Sequence, residues 1–334
     1  MQIERLIYAI DTHTGGECTR VVMHGYPALA RAHPLDILKL MASEYDKFRR
    51  MLMWEPRGHQ NMFGALLLPP SRPDTRFGVV FMDSGGYLKM CVHGLIGVTV
   101  AAVETGYISE SEANQLLKVE TPAGVVAVRF ERKPGLGIEV TVRNVTAFCA
   151  DTDLIVDLDG QETPVDVVYS GNFFALVKAA NVGLRLEPGS LAEITRIGLA
   201  IRDAINQHRE FVHPEQPEIA GVALVEIYED SHNPPPHARN VVVFGSGQID
   251  RSACGTGTCA KMALLHSRGR LQIGEEFVHE GILGTRFRGR LLEEKCVGGF
   301  VGVVPEVTGS AFVTGIQQFV VDPSDPLRAG FTLA

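Results

Sequence analysis

Two stretches of this chain, residues 77–106 and 240–269, share one spacing of their landmarks. Each opens with an apolar, strand-like run that ends at a Phe, Phe81 in the first copy and Phe244 in the second. A Cys follows that Phe by ten residues, one Gly follows the Cys by three, and another follows it by fifteen. These coincident spacings indicate a duplicated unit of strand, Gly-rich loop, Cys and helix. A chain of 334 residues that contains this unit twice is expected to fold as two related halves.

In both copies the Cys, Cys91 or Cys254, stands where a helix is predicted to begin. The first turn of a helix has N–H groups without partners and a partial positive charge. A thiol there ionises more readily than usual, and the N–H groups suit an anion such as a carboxylate. Two such units facing each other would remove a proton from one face of a carbon and deliver one to the other face. Four thiols lack this context, and we interpret them as structural: Cys18, Cys149, Cys259 and Cys296.

The predicted elements follow the same order twice. Helices are expected over residues 34–52 and 191–210, each followed by a strand, a Cys loop and a central helix. Three short strands are expected near the end, at residues 300–304, 311–314 and 318–321. This is not the alternating pattern of a doubly wound sheet. We predict an α+β fold of two pseudo-symmetric domains, each a curved, barrel-like mixed sheet around a central helix, with the active site between them.

Domain boundaries follow from an acidic, turn-rich stretch at residues 151–166. The N-terminal half, residues 1–150, would contain the first catalytic Cys, and the C-terminal half, residues 151–315, the second. Residues 316–334 form a C-terminal segment that we expect to pack back on the first half.

Composition excludes several classes of function. The net charge is −8 and no basic run occurs, which argues against a nucleic-acid partner. No apolar run is long enough to span a membrane, and the N-terminus lacks a signal-peptide core. Six Cys without paired spacings fit a reducing compartment, so we expect a cytoplasmic enzyme. The 11 His show no metal-binding spacing and no full dinucleotide fingerprint occurs, so neither metal nor cofactor is predicted.

Six short motifs carry a resemblance to a known family. They are D-T-H-T-G-G-E at residues 11–17, E-P-R-G-H at 55–59, M-F-G at 62–64, M-C-x-H-G at 90–94, D-R-S-x-C-G-T-G-T at 250–258 and G-I-L-G-T at 281–285. Over nearly its whole length the chain resembles the proline racemase family, which includes 4-hydroxyproline 2-epimerases and trans-3-hydroxy-L-proline dehydratases. The resemblance implies a cofactor-independent racemase, a fold like that of diaminopimelate epimerase, and a homodimer.

The same resemblance implies roles for particular residues. Cys91 and Cys254 would be the two catalytic bases. The N–H groups of four residues would bind the substrate carboxylate: Val92, His93, Gly255 and Thr256. His93 would also lie near the substrate nitrogen, although its side chain could equally bond a nearby carbonyl. Asp250 would hold the substrate ammonium, although an Asp there could also cap its own loop.

Substrate preference is less strongly determined by sequence. Phe63 and Phe244 match apolar residues that proline racemases place around an unsubstituted ring, so proline is the first prediction and 4-hydroxyproline the alternative. Both Cys are present, whereas the dehydratases usually lack one thiol, so stereoinversion is favoured over water loss. Val92 and Leu95 replace the Gly and Thr usual in the family, and a Val that had to adopt positive φ would be strained by about 1–3 kcal/mol. These departures also leave open a catalytically altered protein that binds an imino acid.

Overall fold

The structure, a computed structural model, describes residues 3–135, 137–158, 160–231, 235 and 237–333. Within it the chain forms two compact units. Unit 1 comprises Met1–Thr141 and Ser310–Ala334, and unit 2 comprises Val142–Gly309.

The first part of the chain forms β1 (Arg5–Thr14), β2 (Glu17–His24), α1 (Pro34–Glu44), α2 (Asp46–Met53), β3 (Phe63–Leu68), β4 (Phe77–Asp83), β5 (Tyr87–Leu88), α3 (Val92–Glu104), β6 (Leu117–Thr121), β7 (Gly124–Lys133) and β8 (Gly137–Arg143). The rest forms β9 (Ala147–Leu158), β10 (Gln161–Tyr169), β11 (Phe173–Lys178), α4 (Leu191–His208), β12 (Val212–His213), β13 (Gln216–Ala220), β14 (Val222–Asp230), β15 (Ala238–Phe244), β16 (Gln248–Asp250), α5 (Gly255–Ser267), β17 (Glu276–Glu280), β18 (Arg286–Val297) and β19 (Phe300–Val321).

The two units repeat one order of strand pairing. In unit 1, β1–β2 is antiparallel, β2–β3 parallel, β3–β4 and β4–β5 antiparallel, β4–β6 parallel and β6–β7 antiparallel. In unit 2, β10–β11 is antiparallel, β11–β14 parallel, β14–β15 and β15–β16 antiparallel, β15–β17 parallel and β17–β18 antiparallel. Helices α3 and α5 follow the corresponding hairpins. The predicted α+β class, with a mixed sheet and a central helix in each half, is therefore confirmed.

Both central helices are buried, and α3 lacks a polar face. Every residue of α3 up to Val103 is buried, and so is every residue of α5 up to Leu265. A helix without a polar face has no stable position at the surface. Helix α3 packs against β1, β2 and β3, whereas α5 packs against β9, β10 and β18. Each sheet thus holds one helix whose first turn can present a functional group.

The peripheral helices differ in detail from the prediction. The helix expected over residues 191–210 is α4 and is confirmed, but the one expected over 34–52 is broken at Tyr45, whose φ of −120° and ψ of 17° leave the helical region. The N–H of Tyr45 still bonds the Met41 carbonyl at 3.1 Å. Asp46 then begins α2 and accepts a 2.7 Å hydrogen bond from Arg49. An acidic residue favours a helix start, so a second helix begins where the first ends.

The end of the chain also differs. The prediction of three short strands over residues 300–321 was wrong, because β19 runs through all 22 residues. Its glycines do not end it. A Cβ on Gly302 would lie 2.9 Å from the Lys295 carbonyl oxygen and 3.0 Å from that of Ala147, so Gly here permits close approach of neighbouring backbone. In unit 1, β19 pairs antiparallel with β1 up to Val321. Across the residues described, no helix is both long enough and apolar enough to cross a membrane.

Candidate active site

Cys91 is the N-cap of helix α3. Its backbone is extended, with φ −149°, and its Sγ accepts a hydrogen bond from the Gly94 N–H at 3.2 Å. The His93 ring lies beside the same sulfur, with Nδ1 3.2 Å from Sγ. All three residues are buried. The sulfur thus lies in the partial positive field of the helix N-terminus, next to a group that can exchange a proton.

Phe63 completes this side of unit 1. It begins β3, is fully buried, and has its ring centroid 4.6 Å from that of His93. A Cβ on Gly94 would lie only 2.8 Å from Cε1 of Phe63, so the first turn of α3 needs Gly at this place. The structure therefore brings Phe63, one of the two predicted ring-binding residues, to the helix that Cys91 caps.

Cys254 is the corresponding N-cap of helix α5. Its Sγ accepts a hydrogen bond from the Gly257 N–H at 3.3 Å, and Oγ1 of Thr256 lies 3.7 Å away. The two caps differ in backbone, because Cys254 has φ 48° and ψ 102°. Positive φ is unfavourable for a residue with a Cβ and tends to occur at functional sites. Gly255 and Thr256, the first two residues of α5, are buried directly beside this thiol.

Asp250 anchors the loop that leads to Cys254. Its Oδ1 accepts hydrogen bonds from the Ser252 N–H at 2.8 Å and the Ser252 hydroxyl at 2.7 Å. The same hydroxyl oxygen accepts the Cys254 N–H at 3.1 Å. The loop-capping role considered for Asp250 is thus present, and its contact with a substrate ammonium stays a prediction. The turn at residues 281–285 packs on this loop, since a Cβ on Gly281 would lie 2.5 Å from the Ser252 carbonyl.

The two departures from the family motif fit the helix start. Val92 is the first residue of α3 and Leu95 donates its N–H to the Cys91 carbonyl at 3.0 Å; both side chains are buried. Outside glycine, the only positive φ values among the described residues belong to Asn114, Asp153 and Cys254. Val92 therefore has no backbone strain of the kind considered from the sequence. Phe244 ends β15 and is buried.

Sequence reasoning missed one pair of side chains. The Thr14 hydroxyl donates to the His93 carbonyl at 2.9 Å, and the Ser170 hydroxyl donates to the Thr256 carbonyl at the same distance. Each acceptor carbonyl lies two residues after a cap Cys. Thr14 is the last residue of β1, and Ser170 directly follows the corresponding strand β10. The signal was present in the similar loops at 11–17 and 170–175, although neither hydroxyl was singled out.

Cys259 is the second thiol of helix α5 and is fully buried. Burial raises the pKa of the Cys259 thiol to about 12, which fits its interpretation as structural. The described part of the chain contains no group of three or more His, Cys, Asp or Glu side chains placed to hold a metal ion. In each unit the structure therefore places a thiol and free helix N–H groups at the start of the central helix.

A solved structure defines the class of protein. The hydroxyproline epimerase from Agrobacterium vitis, with bound trans-4-OH-L-proline, is 32% identical with a TM-score of 0.93, covering 100% of this chain and 97% of that one. Two units with repeated strand order and a buried central helix are thus the fold of an amino-acid racemase or epimerase.

The family follows from the sequence comparison. The family model described as Proline racemase matches residues 9–332. A proline racemase from Clostridioides difficile is 44% identical over 334 residues, covering 100% of both chains. A trans-3-hydroxy-L-proline dehydratase from Bacillus cereus is 36% identical, again over 100% of both chains. The chain belongs to the proline racemase family, and it is an isomerase of the racemase and epimerase type.

Proposed function

We propose that this chain racemises proline at Cα without a cofactor, with Cys91 and Cys254 as the two bases. One observation carries the proposal: both thiols are buried N-caps of corresponding central helices, and each accepts the N–H of the residue three positions on. Two thiols in equivalent settings suit a reaction whose forward and reverse directions differ only in handedness.

In the proposed mechanism one Cys is a thiolate and takes the Cα proton, while the other is a thiol and gives a proton to the opposite face. The roles exchange for the other enantiomer. N–H groups of Val92, His93 and the first turn of α5 would bind the substrate carboxylate. Their fixed dipoles would stabilise the negative charge that develops as Cα loses its proton. His93, with Nδ1 3.2 Å from Sγ, would help Cys91 exchange its proton.

Proline is preferred to 4-hydroxyproline because of the aromatic residues. Phe63 and Phe244 are buried and apolar, and a substrate hydroxyl placed against them would lose its hydrogen bonds to water without replacement. The bound trans-4-OH-L-proline of the Agrobacterium vitis enzyme keeps 4-hydroxyproline epimerisation as the second candidate.

Two further activities have less support. Dehydration of a 3-hydroxyproline, with one Cys as base, is represented in the family by the Bacillus cereus enzyme. The presence of both cap thiols favours inversion over this reaction. A binding protein without turnover was suggested by Val92 and Leu95, yet both fit the start of α3.

Polarimetry with L-proline, trans-4-hydroxy-L-proline and trans-3-hydroxy-L-proline tests the proposal. We expect loss of rotation with L-proline and solvent deuterium at Cα of the product. Deuterium exchange confined to a hydroxyproline would support epimerisation instead of proline racemisation. Formation of a dehydrated product would support the dehydratase activity.

Val92→Gly is expected to raise proline turnover; loss of activity would instead make Val92 a specificity residue. We also propose a homodimer, which light scattering of the eluted protein tests.

A further inference from the structure

A carboxyl group lies beneath the first turn of helix α5. Glu226 belongs to β14 and is fully buried. A Cβ on Gly257 would lie 2.4 Å from Oε2 of Glu226 and 3.1 Å from Sγ of Cys254. The carboxyl oxygen and the sulfur are therefore separated by at most the sum of these two distances. Gly257 is also the residue whose N–H donates to that sulfur.

Neither oxygen of Glu226 has a hydrogen-bond partner within the described residues. Nε2 of His279 lies 3.8 Å from Oε1, and burial lowers the pKa of His279, which disfavours its charged form. Burial raises the pKa of Glu226 to about 8 because an ionised carboxylate would lose its hydration. A buried polar group without partners is uncommon in a native fold and calls for a physical reason.

Lys261 is a cation that acts on Glu226: its charge opposes the effect of burial on the pKa of the carboxyl, but burial has the larger effect. Lys261, one helical turn after Gly257, directs its Nζ to Asp230 at 3.3 Å and to the Tyr228 ring at 3.0 Å from the centroid. In the sheet, the register partners of Glu226 are the apolar Leu176 and Val242. The other titratable groups that face this region are Cys259 on α5, Asp166 on β10 and Arg268, which is paired with Asp166.

The other unit has no such group at the matching place. Glu226 pairs with Val242, which lies two residues before Phe244. In unit 1 the corresponding residue is Val79, two residues before Phe81, and it pairs with Leu67. The duplicated framework therefore carries a carboxyl in one copy and an apolar side chain in the other. This difference indicates that Glu226 acts on Cys254 rather than on the fold common to both units.

We propose that Glu226 is a positioning residue that controls, through its own charge, how readily the Cys254 thiol ionises. While the carboxyl is protonated, the partial positive charge at the start of α5 acts on the sulfur unopposed. When the carboxyl ionises, it adds a negative charge beside the thiolate. At about 5 Å and an effective dielectric constant of about 20, this repulsion corresponds to about 2 pH units in the pKa of the thiol. Because Cys254 is one of the two proposed bases, this inference rests on the proposed function.

The test is a titration of the Cys254 thiol itself. The ultraviolet absorbance of the thiolate is followed against pH, and the same protein carrying Cys254→Ser is subtracted so that the other thiols cancel. The titration is done for the unmodified chain, Glu226→Gln and Glu226→Met. Gln keeps the shape and Met the volume of the side chain, and both remove the charge. The control is Asp230→Asn, on the same strand and about 13 Å further along it.

We expect Cys254 to ionise about one to two pH units lower in both Glu226 variants than in the unmodified chain, and Asp230→Asn to have a smaller effect. Identical titrations in the unmodified chain and the variants, or ionisation at higher pH in the variants, would overturn the inference. Circular dichroism identifies the variants that are folded, and either one suffices. The outcome is separate from the proposed function: if Cys254→Ser retained full racemase activity, the two-base mechanism would fail, while the titration would still decide the role of Glu226.

Discussion

At Gly257 an added side chain would meet both Glu226 and Cys254. In Gly257→Ala the new methyl group would lie 2.4 Å from Oε2 of Glu226 and 3.1 Å from Sγ of Cys254. Both neighbours are buried, so neither side chain can move into solvent. The substitution must therefore shift the thiol, the carboxyl or the start of α5.

The size of the effect follows from this overlap. Overpacking of a buried site costs about 1–3 kcal/mol, while Ala in place of Gly inside a helix returns up to about 1 kcal/mol. We expect a net loss of about 1–2 kcal/mol in the free energy of unfolding. Misplacement of a catalytic group by about 1 Å can lower the rate about 100-fold. The expected loss in kcat/KM is therefore about 10- to 100-fold, mostly in kcat.

Urea unfolding and initial racemisation rates measure the two effects. Gly189→Ala is the matched control in the same unit, because no atom lies within 4 Å of the Cβ that it would add. This control is expected to change stability by no more than about 0.5 kcal/mol and to leave turnover unchanged. If Gly257→Ala were as stable and as active as Gly189→Ala, the packing described at the first turn of α5 would be wrong.

Three further predictions concern the two cap thiols and the groups around them. Cys91→Ser and Cys254→Ser should each lower racemisation by about 10²–10⁴-fold or more in polarimetry, with Cα exchange of one enantiomer retained; full activity in either would reject the two-base mechanism. Ser170→Ala removes the 2.9 Å hydrogen bond to the Thr256 carbonyl and should lower the free energy of unfolding by about 1 kcal/mol, whereas an unchanged urea midpoint would show that this bond contributes nothing. Burial raises the pKa of Glu226 from 4.5 to about 8, so its contribution to stability is present at low pH and is lost as pH rises between these values. In Glu226→Gln the decline of stability with pH over that range should be smaller by about 1 kcal/mol per pH unit, and parallel urea data for the two proteins would contradict this.

The sequence by itself determined the features that depend on local pattern. The spacing around Cys91 and Cys254 predicted two helix caps, and both lie where expected, since a cap depends on a few consecutive residues. The same repeated spacing predicted a central helix in each half, and both are present. The α+β class and the family followed from the same repeat and its motifs. Prediction from local pattern was wrong at two places. A helix ends at Tyr45 without Pro or Gly. Strand β19 continues through several Gly.

Tertiary structure alone decided which distant groups meet around each thiol. The Thr14 hydroxyl reaches a carbonyl 79 residues away, and the Ser170 hydroxyl reaches one 86 residues away. Glu226 is one of three charged residues of β14, and the sequence does not distinguish it from the other two. Its approach to Cys254 depends on how β14 lies under α5. A one-residue change of register turns every side chain of a strand to the opposite face. Long-range contacts therefore depend on strand register and helix packing, which the residue pattern of one segment does not contain.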